Sequence, residues 1–166
     1  GIGDLNGDGF RDIAVGASRT STGEVYVLLL DGDGLVIGEQ RLANGVGGFN
    51  GPLDPNDGFG IGVAAIGDLD GNGATDIVVG ADRDDDGASD TGAVYILFMN
   101  RDGTVRNEQK ISATAGGMTT PPANADVFGA AVAGIGDIDG NGVGDIAVGA
   151  YYDDDGGGST GSVYLL

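Results

Sequence analysis

A chain of 166 residues, 40% of them hydrophobic, has the length of one ordinary domain and enough apolar material for a core, so disorder is not expected despite a net charge of −19. Seven Lys/Arg against 26 Asp/Glu argue against nucleic acid and acidic membrane surfaces as partners, because phosphate binding needs clustered positive charge. With no His, no Cys and a single lysine, Lys110, disulfides, thiolate metal sites and most nucleophile–base arrangements are excluded; the chain reads as non-catalytic.

No apolar run is long enough to cross a bilayer, and no basic-then-apolar leader opens the sequence. It begins instead with GDLNGDGFRD (3–12), in which acidic or amide side chains alternate with glycines and other residues. An apolar stretch ending in Gly-Ala follows, DIAVGA (12–17), then a short loop, SRTST (18–22). A second apolar stretch, GEVYVLLL (23–30), leads through the turn DGDG (31–34) into a more polar segment ending EQRL (39–42). After a linking stretch, 43–58, the order repeats. Phe59-Gly60 opens GIGVAAIGD (60–68), followed by GDLDGNGATD (67–76), DIVVGA (76–81), a loop DRDDDGASDT (82–91), GAVYILFM (92–99), the turn NRDG (100–103) and TVRNEQKI (104–111). Beyond 112–127, Phe128-Gly129 opens a third unit with GDIDGNGVGD (136–145), DIAVGA (145–150), YYDDDGGGST (151–160) and GSVYLL (161–166).

The motif aspartates Asp4, Asp68 and Asp137 are 64 and 69 residues apart, yet Val25 to Asp68 and Val94 to Asp137 are both 43. The difference lies wholly in the loop after Gly-Ala, as a rigid repeated scaffold tolerates. Segments of four to eight residues rich in Val, Ile, Leu and Tyr and bounded by Gly, Asp and Asn are strand signals, and no stretch shows a helical apolar period. The expected fold is all-β: β-propeller blades of four antiparallel strands, in an incomplete propeller of about two and a half repeats. The partial blade 1–42 is expected to lack its innermost strand, 59–111 to be complete, and 128–166 to lack its outermost strand. Further repeats or other copies are expected to complete the ring.

Counted from its first aspartate, each motif has oxygen side chains at positions one, three, five and nine, glycine at six and a backbone carbonyl on offer at seven. The sets are Asp4, Asn6, Asp8, Phe10 and Asp12; Asp68, Asp70, Asn72, Ala74 and Asp76; Asp137, Asp139, Asn141, Val143 and Asp145. An all-oxygen shell suits Ca²⁺; Mg²⁺ takes fewer protein ligands and softer metals favour His or Cys. The opening is that of an EF-hand, but Val15, Val79 and Val148 stand where its closing Glu would be. The loop therefore joins strands. The alternative is a metal-free hairpin rich in Asp, Asn and Gly, and the threefold recurrence favours three Ca²⁺ sites.

Phe59-Gly60 and Phe128-Gly129, the tripeptides GAS (16–18), GAD (80–82) and GAY (149–151), and the nine-residue loops between them resemble the FG-GAP repeat of integrin α-subunit propellers and related bacterial extracellular proteins. No proline follows Gly-Ala. The resemblance implies a β-propeller, calcium in the hairpin between the first two strands of a blade, and adhesion or ligand binding on the opposite face. That face would carry the loops 82–91 and 151–160 together with 43–58 and 114–127. Asp84, Asp85, Asp86, Asp153, Asp154 and Asp155 are candidates for a further cation or a basic partner, or are solvated loop. Tyr151 and Tyr152 are candidates for stacking on a sugar, or pack. The favoured function is a calcium-stabilised extracellular module for adhesion or protein interaction. A carbohydrate-binding propeller and a structural subunit of an extracellular filament or surface assembly are the alternatives.

Overall fold

The computed structural model describes residues 1–158 and 160–166; Ser159, in the candidate loop 151–160, lies outside the described residues. Ten strands form three separate antiparallel sheets, and no helix occurs among the described residues. The first sheet holds β1 (Ile13–Gly16), β2 (Val25–Leu30) and β3 (Val36–Leu42) in that order. The second has four strands in chain order, β4 (Val63–Gly67), β5 (Asp76–Ala81), β6 (Ala93–Met99) and β7 (Val105–Ser112). In the third, β9 (Asp145–Ala150) lies between β8 (Ala131–Gly136) and β10 (Ser162–Leu165). The meanders follow directly from the hairpin turns between alternating apolar runs.

The sheets stack face to face as propeller blades do, with β1 against β4 and β4 against β8. The middle sheet is covered on both sides, so its strands are apolar on both faces. Ile77, Val79, Tyr95 and Leu97 face one core with Val25, Val27, Leu42, Phe49 and Phe59. Val78 and Val94 face the other with Phe128, Ile146 and Val148. All six residues of β5 are buried, whereas the outermost strand β7 exposes Arg106, Asn107 and Gln109. Phe59 stacks on Phe49 with ring centres 4.7 Å apart, and Tyr95 meets both edge-on at 5.4 and 5.7 Å. Each fully buried phenylalanine contributes about 1.5–3 kcal/mol through the surface it removes from water.

The Phe-Gly and Gly-Ala dipeptides join neighbouring sheets. Phe59 and Phe128, both fully buried, form parallel bridges to Gly23 and Gly92 of the preceding unit. The Phe59 and Phe128 amides donate to the carbonyls of Thr22 and Thr91 at 3.1 and 3.0 Å. This stitching fixes the strand ends. The nine-residue loops lie at one end of the strands, and the loops after Gly-Ala lie with the inter-sheet linkers at the other.

Candidate functional site

Each nine-residue loop is built by its own acidic side chains. Asp4 accepts from the amides of Gly7, Asp8 and Gly9 at 2.8, 3.1 and 2.9 Å. Asp68 accepts from Asn72 and Gly73 at 3.0 and 2.8 Å, and Asp137 from Gly140, Asn141 and Gly142 at 2.7, 3.0 and 2.9 Å. The Gly142, Gly140 and Asn141 amides hold the Asp137 carboxyl below its usual range. Such wrapping turns the chain through left-handed backbone at positions four and six, where glycine stands in every copy: φ is +74° and +86° at Gly71 and Gly73. At position five, Asp8, Asn72 and Asn141 each accept from the position-seven amide, that of Phe10, Ala74 or Val143, at 2.9, 2.6 and 2.7 Å.

Position nine ties the loop to the sheet. Asp12 and Asp76 are fully buried, and each uses both carboxylate oxygens. Asp12 accepts from Leu5 and Leu30 at 2.8 and 2.9 Å, and Asp76 from Leu69 and Met99 at 2.8 and 2.9 Å. Burial raises the Asp76 pKa, while the Met99 and Leu69 amides oppose the rise. Asp145 accepts from Ile138 at 2.7 Å.

In the second loop, carboxylate oxygens of Asp68, Asp70 and Asp76 all lie within 4.8 Å of one another, and those of Asp137, Asp139 and Asp145 do the same in the third. Three carboxylates so close repel strongly unless a cation lies between them. With an amide oxygen and a carbonyl also at hand, the donors are all hard oxygens, a chemistry that fits Ca²⁺. The first loop differs. Position three is the amide Asn6, which donates to Asp8 at 2.8 Å, and no three-carboxylate convergence forms there among the described residues. The second loop also has a counterion of its own, since Arg106 of β7 pairs with Asp70.

At the opposite end of the strands, the candidate aspartates divide into two groups. Asp84 is buried, and Lys110 bridges it to Asp86 with Nζ–O distances of 2.7 and 2.8 Å. The Tyr95 hydroxyl reaches Asp84 at 3.4 Å, and Lys110 Nζ lies 5.5 Å from the Tyr95 ring centre. Burial works against the charge on Lys110, but Asp84 and Asp86 outweigh it and raise the lysine's pKa. Beside them, burial pushes the Asp57 carboxyl up to about 6. Asp153 is also buried and accepts from the Tyr164 hydroxyl at 3.0 Å and the Asp155 amide at 3.1 Å. Asp84, Asp86 and Asp153 are thus engaged within the chain, whereas Asp85, Asp154, Asp155, Tyr151 and Tyr152 face solvent. The rings of Tyr151 and Tyr152 lie 4.3 Å apart, inclined at 50°. The Lys110 cluster and the Arg106–Asp70 pair join side chains of β7 to loop residues far away in the chain, which local patterning does not reveal.

Relatives with the same pattern are integrin α subunits. Integrin alpha-PS5 of Drosophila melanogaster is 31% identical over 151 residues, covering 89% of this chain and 14% of that protein. Integrin alpha pat-2 of Caenorhabditis briggsae is 36% identical over 170 residues, covering 90% and 13%. Integrin alpha-4 of Xenopus laevis is 33% identical over 156 residues, covering 91% and 14%. The chain therefore spans about one seventh of the length of these relatives. The FG-GAP repeat model matches residues 1–28, 59–97 and 128–166, and each match takes in one nine-residue loop and the strands beside it. With most of its length accounted for in this way, the chain belongs to the FG-GAP repeat family.

Proposed function

We propose that this chain is a non-catalytic, calcium-stabilised segment of an extracellular β-propeller that serves adhesion or protein interaction. The carrying observation is the convergence of Asp68, Asp70 and Asp76, and of Asp137, Asp139 and Asp145, in loops whose backbone is already wrapped around the first aspartate. The ligands would be positions one, three, five and nine of each loop with the carbonyls of Phe10, Ala74 and Val143. A bound divalent cation would supply charge neutralisation there. The blades are assigned to 1–42, 59–111 and 128–166, joined by 43–58 and 112–127, with further repeats or other copies completing the ring. A protein or glycan ligand would take the face opposite the metal loops. Kinship with integrin α subunits and a set of sites suited to millimolar calcium support a cell-surface or extracellular setting.

Calorimetric titration of the metal-free protein tests this reading. Three calcium ions per chain and a melting temperature that falls on chelation are expected. With free calcium a hundredfold above each Kd, each site stabilises by about 2.7 kcal/mol. A melt indifferent to EGTA removes calcium from a structural role.

A second reading, glycan binding, has one observation in its favour: Tyr151 and Tyr152 are 55% and 53% exposed side by side on the opposite face. A glycan array read with the wild type and Tyr151→Ala separates it from protein recognition.

A further inference from the structure

A cleft of about 80 Å³ lies between the first and second sheets, at the end of the strands away from the metal loops. Its walls come from the loops after the two Gly-Ala dipeptides, with Ser18 and Arg19 on one side and Asp82 and Arg83 on the other. Asn56 and Gly58 of the linker close it. Asp82 is only 9% exposed and lines the cleft; burial raises its carboxyl pKa, while the charges of Arg83 and Arg19 and its own backbone amide oppose the rise. An alanine at position 58 would put its Cβ 2.5 Å from the Asp82 Oδ1, so glycine makes room for this carboxylate. Arg19 and Arg83 are exposed and form no ion pair among the described residues, in a chain with only seven basic side chains.

The repeated frame does not need these groups. The residue after Gly-Ala is Ser18, Asp82 or Tyr151 in the three units, and the next is Arg19, Arg83 or Tyr152. Where the second and third units meet, Ala125 and Val127 replace Asn56 and Gly58. A largely buried carboxylate that lines a cleft can accept from a donor brought into it. Beside it stand two exposed guanidinium groups, two positive charges against the one of Asp82, and guanidinium favours a carboxylate geometrically and by charge.

We infer that this cleft is a binding site for an acidic side chain of a partner protein, with Arg19 and Arg83 pairing the partner's carboxylate and Asp82 accepting a neighbouring N–H or hydroxyl. The inference rests on the reading of the opposite face as the ligand-binding one. The size of the cleft favours a single side chain, since sites for whole small ligands run to roughly 300 Å³ or more. No aromatic side chain lines it to receive a sugar ring.

Nuclear magnetic resonance of the calcium-loaded, nitrogen-labelled protein tests the site. The probes are a blocked Gly-Ser-Asp-Gly-Ser peptide, its Asn counterpart and glucuronate. The acidic peptide is expected to shift the Arg19 and Arg83 Nε–H signals saturably, and the Asn peptide to bind at least about tenfold more weakly. Arg19→Gln and Arg83→Gln, both at exposed positions, should each weaken the acidic peptide about tenfold while leaving the melt unchanged. Equal titration by the two peptides, saturation by glucuronate instead of peptide, or no saturable shift overturns the proposal. Shifts confined to Asp85, Tyr151 and Tyr152 reject the cleft and leave the face as the ligand surface; shifts only at the metal loops reject both.

Discussion

The carbonyl oxygen of Gly60 lies 1.8 Å from the point where a Cβ on Gly16 would sit, and the Gly129 carbonyl stands 1.9 Å from the corresponding point on Gly80. The glycine of the first and of the second Gly-Ala is therefore a contact surface for the Phe-Gly of the next unit. No side chain fits between the two backbones.

Gly80→Ala is accordingly expected to cost about 3 kcal/mol or more, since the obstacle is backbone and cannot step aside. Gly149 has the same place in the motif, but its Cβ would meet Ala131 at 3.5 Å, an ordinary contact. Gly149→Ala should change stability by less than about 1 kcal/mol. Urea unfolding of the two variants in calcium checks the contrast; equal losses would show that the close approach is not the cause.

Asp68 and Asp76 belong to the same loop but should fail differently. Asp68→Asn also sets an amide NH₂ against a loop donor, that of Asn72 or Gly73, but at an exposed position where water can take the displaced N–H, so it should act mainly on calcium affinity. Asp76→Asn sets an amide NH₂ against a backbone donor, either that of Leu69 or that of Met99, and should cost about 1–3 kcal/mol even without metal. Melts with and without EGTA resolve the two. A loss for Asp76→Asn seen only in calcium would mean that the residue is a ligand and nothing more.

Arg106 competes for Asp70 with any cation in the second loop. The arginine is about half exposed, so the pair is worth at most about 1 kcal/mol, and Arg106→Gln should tighten calcium at that one loop by up to about fivefold. The third loop, where no arginine pairs with Asp139 among the described residues, should be unaffected. Titration with luminescent terbium, site by site, measures this; weaker binding in the variant would refute the competition.

The shape of the nine-residue loops was legible because everything it needs lies within them: the aspartates, the glycines in left-handed backbone and the β-strand that follows. The strands were legible for a similar reason, since alternation in Ile77, Val78 and Val79 already divides the side chains between two cores. The remaining features join distant segments. Asp76 bonds to Met99 across 23 residues, and Lys110 reaches Asp84 and Asp86 from the far edge of the same sheet. Asp82 and Arg19 meet only because two sheets stack. A run of three aspartates, 84–86, reads as one feature in the chain, but folding buries Asp84 and leaves Asp85 in solvent.

Asp57 gives the stability a recognisable pH dependence. Burial raises its folded pKa to about 6, above the ordinary unfolded value near 4, so between these limits the folded chain binds more protons than the unfolded one. Stability from this group is therefore present at the acid end and lost as pH rises through about 6. Compared at saturating calcium, Asp57→Asn should gain on the wild type from pH 4 to 6 and then run parallel to it. A difference that is flat across that range would place the Asp57 titration elsewhere.

The bridges from Phe59 to Gly23 and from Phe128 to Gly92 mean that each unit's first residues complete the rim of the unit before it. A boundary drawn between repeats in the chain is thus not a boundary in the molecule. Removing one repeat strips hydrogen bonds and a buried aromatic ring from its neighbour, so loss of order at one place spreads along the array, and its units melt together.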